Sequence, residues 1–348
     1  MDKEQVIALR MERQGLSRPV ADEEFPSLFR RLQPVAPAYY SMPGSPPRLR
    51  SRAVGDDAAL ASGLRERREV VKARFRGGSI GYVLSRDLET YGAAFRRPLR
   101  RLGQVEQALL DTMRSTGPLS PRHLREETGL LNKQIMAALH RLQRAFLVFE
   151  DQEDERWDRP WCLFCSEWPR LDIDARPWAA AAAEVVERFL EGHVFAASSQ
   201  VRAWSGFGVT ALRQLLEEMA AAGTIAAHSV RGLGEGWVRP ADADVAPASS
   251  APSGVWVLHR ADPLVLPLAD ELRERYRGRE VLQYLLVDGE VLGALCGHWR
   301  IRAHDVEDVV VDLAPAEAVL RRDEIVTAAR QHYPAPESQV LRYMGQRL

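Results

Sequence analysis

Cys162 and Cys165 have the spacing of two metal ligands, and Cys296 with His298 would complete a four-ligand zinc set. The pattern stops short of that chemistry. There is no second matched cysteine pair, and Cys162 lies in an apolar run that reads as a strand, where thiols pack as small hydrophobes. No metal and no cofactor is therefore expected. The eight histidines (His123, His140, His193, His228, His259, His298, His304 and His332) are scattered, and neither HExxH, GxSxG nor a P-loop occurs. His259 stands just before Asp262-Pro263, a dipeptide that more often makes a turn than a site.

Two other segments have chemistry suited to a polyanion. Residues 34–49 (PVAPAYYSMPGSPPRL) hold five prolines and a glycine, so they read as an extended loop with a turn at Pro43-Gly44. Tyr39 and Tyr40 in that loop could stack on bases or wedge into a groove; the plainer alternative is that they cover a core. The second segment gathers Arg65, Arg67, Arg68, Lys72, Arg74 and Arg76 before Gly77, Gly78 and Ser79. Its guanidinium groups could meet phosphates, and the glycines could bring backbone N–H groups to one. A solvated helix face and a tight hairpin turn are the alternative.

The overall charge of −1 hides an asymmetry that favours the phosphate reading. Residues 1–101 contain 20 of the 47 basic side chains but 12 of the 48 acidic ones. A basic amino-terminal third suits DNA, because neutralised phosphates release counterions. Only Lys3, Lys72 and Lys133 are lysines, so arginine count alone says little, and its distribution says more.

The elements that must position these groups recur in one order. Helices are expected at 3–14, with Val6, Ile7, Ala8, Leu9 and Met11 on the apolar face, and at about 22–32. An arginine-rich helix over 56–72 leads to strands around Gly77-Gly78. The order then repeats more plainly. A helix spans 104–115, Ser120-Pro121 caps a short helix, and a longer helix covers 131–145. Lys133, Gln134, Arg141 and Arg144 decorate the outer face of that third helix. Strands at 146–150 and 161–164 flank an acidic tip. The third copy has helices at 178–191, from Ser198 or Ser199 to Trp204, and at 209–222, then strands about Arg231-Gly232-Leu233-Gly234. Helix, turn, helix and glycine-tipped hairpin describe a winged-helix unit, whose third helix is the usual reading element.

The fold class expected is thus α+β: three tandem winged-helix (helix-turn-helix) units, then a small carboxy-terminal antiparallel β-barrel and a terminal helix. The units are assigned to 1–101, 102–175 and 176–240, with the barrel domain at 255–348. Residues 240–254 read as a linker, and Asp288-Gly289 is a hairpin turn. No stretch has the roughly 18 uncharged apolar residues of a membrane span. The charged amino terminus reads as an amphipathic helix rather than a signal peptide. Three cysteines suit the reducing cytoplasm, and no sustained heptad suggests a dimer, so a monomer is expected.

In order along the chain come VIALRMERQGL (6–16), RFRGGSIGYVLSRDL (74–88), the helices of 104–145, SSQVRAWSGF (198–207), ADPLVLPLADELRERY (261–276) and VLQYLLVDGEVLGAL (281–295). This series resembles the winged-helix DNA glycosylases of the YcaQ/AlkZ type over nearly the whole chain. The resemblance implies a DNA-binding concavity and hydrolysis of the N-glycosidic bond of alkylated or crosslinked bases. It also implies catalysis by a Gln-x-Gln or Gln-x-Asp motif just after the second helix. Laying Leu32-Gln33-Pro34-Val35 on the segment leading into that motif places Ala36-Pro37-Ala38 on the motif itself. Neither alanine can hold a water or take a proton.

Three readings follow. The first is a duplex-DNA-binding member of that superfamily, in repair or damage recognition, with lost or altered base excision. It would bind DNA through the basic first unit, the 131–145 helix and the Asp288-Gly289 hairpin. The second is an active glycosylase using Gln33, Tyr39 and Tyr40 as nonstandard catalytic residues. The third is a non-enzymatic transcriptional regulator.

Overall fold

The first helix, α1 (Lys3–Arg13), begins where Asp2 accepts the amide of Gln5 and the Gln5 side chain accepts the amide of Asp2, which satisfies two donors that a helix start otherwise leaves open. Arg10 donates to the carbonyls of His193 and Phe195, and Arg13 to the carbonyl of Glu191 and the carboxylate of Asp242. These bonds dock α1 onto chain almost two hundred positions away.

The computed structural model describes residues 1–37, 45–151, 158–247, 250–300 and 303–348. Ala38, Tyr39, Tyr40, the Pro43-Gly44 turn and most of the acidic 150–155 tip therefore lie outside the described residues. After α2 (Phe25–Leu32), residues 34–37 run extended. Val35 exchanges both backbone hydrogen bonds with Tyr82, at 2.9 and 2.8 Å. The segment thereby adds itself to the hairpin of β1 (Val70–Phe75) and β2 (Ser79–Leu84), which follows α3 (Asp57–Glu66). Gly81 allows this close approach, because a Cβ there would lie 3.1 Å from Pro34 Cβ and 3.2 Å from a Phe75 ring carbon. Helix α4 (Leu88–Phe95) closes this region.

The next block follows the expected order: α5 (Gln104–Thr116), α6 (Pro121–Thr128), α7 (Asn132–Arg144), β3 (Val148–Glu150), β4 (Trp161–Leu163) and the short α8 (Phe164–Glu167). Ser120 Oγ accepts the His123 amide, and Pro121 opens α6 without losing a helical bond. Leu109, Leu124, Ile135, Leu139, Leu142 and Trp161 form its core. A third block contains α9 (Trp178–His193), β5 (Phe195–Ala196), α10 (Ser198–Ser205), α11 (Val209–Ala221), β6 (Ala226–Val230) and β7 (Gly234–Val238). The largest core joins the blocks. Val71, Phe75 and Val83 of the first hairpin, α4, α9 to α11, and Phe146, Phe149 and Phe164 all contribute to it.

The carboxy-terminal region corrects one expectation. Strands β8 (Val255–Leu258), β9 (Val281–Val287), β10 (Glu290–Cys296), β11 (Asp308–Val311), β12 (Arg342–Tyr343) and β13 (Gln346–Arg347) form one sheet in the order β13-β12-β11-β10-β9-β8, and its end strands do not pair. Among the described residues no sheet closes into a β-barrel. The physical reason lies in the strands themselves, whose two faces are both apolar. Leu285, Val287, Leu295, Val309 and Val311 face one core, whereas Tyr284, Leu286, Val291, Ala294 and Val310 face another. A small barrel encloses one face only, so this sheet is covered on both sides. Helix α12 (Ala269–Arg275) and α1 supply one layer, and α13 (Pro315–Leu320) with α14 (Arg322–His332) the other. The expected terminal helix is these last two, and β12 and β13 follow it. Among the described residues no helix is long and apolar enough to cross a membrane.

Candidate nucleic-acid interface

The turn at Arg76-Gly77-Gly78 is the point where three parts of the chain converge. Both glycines have positive φ, +69° and +100°. A Cβ on Gly78 would lie 3.1 Å from Arg144 Cδ, and one on Gly77 would lie 3.9 Å from the Arg97 guanidinium. The Arg97 amide donates to the Arg144 carbonyl at 2.8 Å. Arg74 reaches from β1 to the Gly78 carbonyl at 2.9 Å and to Gln143 at 2.7 Å. From the third block, Gly206 ends α10 in a left-handed conformation, and a Cβ on it would lie 3.3 Å from the Gly77 amide nitrogen. Arg74, Arg76, Arg97 and Arg144 are thus gathered about one glycine tip. Burial lowers the Arg74 pKa, and the charge of Arg144 lowers it further, although Glu150 opposes both.

Other basic residues singled out from sequence are held elsewhere. Arg65 is buried. Arg67 pairs with Glu69 at 2.5 Å and Arg68 with Glu167. Lys72 is inside the protein, 2.5 Å from Glu150, and burial holds its pKa below the usual lysine range. Arg141 bonds to Glu106 at 2.6 Å. Lys133 is exposed, but it sits eleven residues before Arg144 on α7, about 16 Å along the helix. Gln134 serves α7 itself by accepting the Leu131 amide at 3.0 Å. Arg97 was not singled out from sequence; the arginine run at 96–101 was its only signal.

Gln33 is buried, and its amide is occupied at both ends. Its nitrogen donates to Asp87 at 2.9 Å, and its oxygen accepts the Leu84 amide at 2.8 Å. Asp87 also takes a two-pronged bond from Arg30 and an ion pair from Arg188 at 2.9 Å. Burial raises the Asp87 pKa, but Arg30, Gln33 and Arg188 outweigh that and hold it below the usual carboxylate range. The network is a strut between α2, β2, the start of α4, and α9. Ala36 is also buried, and its carbonyl accepts the Arg48 amide at 3.2 Å.

The cysteines do not meet as a metal set would. Cys162 belongs to the central core, Cys296 to the carboxy-terminal sheet, and Cys165 is exposed. The Asp288-Gly289 turn faces inward: Asp288 binds Arg321, Ser253 and the Gly254 amide, while Gly289 packs against Ile7.

Comparison with known proteins adds two findings. The sequence pattern of AlkZ-like DNA glycosylases matches residues 48–333, a span that begins after the Gln33–Pro37 segment. The DNA glycosylase AlkZ of Streptomyces sahachiroi has a similar structure, with a TM-score of 0.69 and 16% sequence identity, covering 99% of this chain and 100% of that one. No curated protein sequence matches the chain.

Proposed function

The chain belongs to the AlkZ-like DNA glycosylase family, and on that premise we propose that it is a duplex-DNA-binding repair protein whose base-excision chemistry is altered or lost. The observation that carries the binding half is the convergence of Arg74, Arg76, Arg97 and Arg144 on Gly77-Gly78. A glycine turn that exposes little bulk and is ringed by guanidinium groups suits a phosphate backbone. Each of the three helical blocks would act as a winged-helix unit, and the protein would work as a cytoplasmic monomer. Not every unit needs to touch DNA, because a fold does not dictate its contacts.

The chemical half rests on Gln33 and Ala36. The family resemblance puts Ala36-Pro37-Ala38 at the catalytic motif, and alanine has no group to activate water or steady a sugar cation. The amide nearest in sequence, Gln33, is occupied by Asp87 and Leu84.

The test is base release. The purified protein is incubated with duplexes carrying alkylated purines or crosslinks, strand scission is scored after alkali, and binding to the same duplexes is measured in parallel. Binding without scission is the expected outcome. Time-dependent scission would overturn the altered-chemistry half, and absence of binding would overturn the whole reading.

A further inference from the structure

The face of the carboxy-terminal sheet that α12 covers carries a pocket of about 450 Å3. Helix and strand geometry sets its walls. Ala269, Leu272, Arg273 and Tyr276 follow one another at spacings of three, one and three, so they share one side of α12 and its end. Strand β9 answers with Tyr284, which belongs to the same apolar cluster as Leu272 and Tyr276. Tyr284 pairs with Leu258, the last residue of β8, and Arg260 follows two positions on. After α12 the chain turns back, with the Arg279 amide donating to the Tyr276 carbonyl at 3.1 Å, and brings Arg277 and Arg279 to the rim.

Four arginines line this pocket, and among the described residues no carboxylate does. Arg260 is exposed and makes no hydrogen bond or ion pair among the described residues. The other three lean on acids outside the lining: Arg273 on Asp270 at 3.0 Å, Arg277 on Glu274, and Arg279 on Asp308 at 3.5 Å. Exposed pairs of this kind hold weakly, and a guanidinium has five N–H donors, so each keeps some to offer.

Tyr284 is the polar group inside the ring of arginines. It is 8% exposed, and its hydroxyl has no hydrogen-bond partner among the described residues. Tyr276, with its ring centroid 5.9 Å away, differs: its hydroxyl donates to Asp312 at 2.6 Å. Burial raises the Tyr284 pKa, while the charges of Arg273 and Arg260 both pull it down, so the phenol stays protonated in a field set by those two guanidiniums. Buried hydroxyls are normally hydrogen-bonded. One left open beside cations, with a proton to give, is matched by an oxyanion.

We propose that this pocket binds one nucleoside phosphate, whose phosphate oxygens accept from the Tyr284 hydroxyl, Arg260 and Arg273 while its sugar and base lie against Val265, Leu272 and Tyr276. The site goes beyond the glycine-tip interface and stands without it, because a free nucleotide and a nucleotide of DNA offer the same groups. Pockets for organic ligands run from roughly 300 to 1,000 Å3, so a bare phosphate would leave most of this one unfilled. A tetrahedral phosphate also has enough oxygens for three converging donors, which a carboxylate lacks.

The experiment uses the full chain. Deoxyadenosine monophosphate, deoxyadenosine and inorganic phosphate are each titrated into it by calorimetry. The monophosphate is expected to fill one site per chain, and each of the other two to bind at least about ten-fold more weakly. Arg260→Gln and Tyr284→Phe should each weaken the monophosphate about ten-fold. Neither variant removes a bond within the folded chain, so both should melt with the wild type; a lower melt for Tyr284→Phe would mean that its hydroxyl serves the fold and would overturn its role. Duplex binding by the same three proteins identifies the source. Duplex affinity lost in both variants assigns the ligand to DNA, and duplex affinity kept while monophosphate binding falls assigns it to a free nucleotide. Monophosphate binding that both variants leave intact would overturn the site. So would absence of monophosphate binding together with unaltered duplex affinity in the variants. Inorganic phosphate bound as tightly as the monophosphate would overturn the nucleoside half. A chain that binds the monophosphate but no duplex would uphold the pocket and place the failure in the DNA-binding reading.

Discussion

The side-chain nitrogen of Gln33 sits 2.9 Å from an Asp87 carboxylate oxygen, while its own oxygen accepts the Leu84 amide. Gln33 is the residue that an isolated reading of the loop would offer as a catalyst, and both ends of its amide are already hydrogen-bonded. Gln33→Ala removes two hydrogen bonds and leaves the Leu84 amide buried without its partner. The expected cost is about 1–3 kcal/mol of folding stability, read as a lower urea midpoint with an unchanged slope. DNA affinity of the folded protein should not change. Loss of binding or base release with an unaltered midpoint would return Gln33 to the chemistry.

Charge reversal at the glycine tip should separate contact from decoration. Arg97→Glu and Arg144→Glu are each expected to weaken duplex binding and to reduce the salt-dependence slope by about 0.9 for each phosphate that is no longer neutralised. Arg67→Glu and Arg68→Glu, at residues tied to Glu69 and Glu167, should have smaller effects. Binding measured over a salt series checks both. Equal slopes for all four variants would remove the tip from the interface.

Gly289 is a test of the α1 docking. Its φ is +87°, and a Cβ would lie 2.4 Å from Ile7 Cγ2. Gly289→Ala therefore meets both an unfavourable backbone region and a clash. It should destabilise the protein by about 1–3 kcal/mol, whereas Glu290→Gln, which only removes the surface pair with Lys3 at 2.7 Å, should cost less than about 1 kcal/mol. A thermal melt distinguishes them. An unchanged midpoint for Gly289→Ala would mean α1 can move off the turn at no cost.

Local signals in the sequence were strong where one residue type had one physical use. Ser120-Pro121 marked the start of α6, and Asp288-Gly289 a tight hairpin. The barrel expectation failed because, Gln283 apart, the run VLQYLLV is apolar on both alternating faces, which calls for a covered sheet rather than a closed one. The candidate site was less legible than the fold. Charge counting cannot tell a solvated arginine from one paired across the chain, and the partners of Lys72 and Arg68 lie 78 and 99 residues away. His259, Gln283 and His332 line one small cavity although they are far apart in sequence, so no spacing rule relates them.

Those two histidines also give the protein an acid-sensitive term. Burial first, then Arg260 and Arg50, push His259 down to about 4 against a partly opposing Asp262; burial first, then Arg50, His259 and Arg48, push His332 down to about 3. In the unfolded chain each ring returns to about 6.5. Between those limits the unfolded state binds protons that the folded state refuses, so stability falls as pH drops below 6.5 and stops falling from this source near 3 to 4. Each ring can contribute a slope of at most about 1.4 kcal/mol per pH unit, less where solvent reaches it. Urea midpoints should decline from about pH 7 to about pH 5 in the wild type, and less steeply in His332→Gln. A wild-type midpoint flat across that range would mean the two rings are neither buried nor neutral as the structure places them.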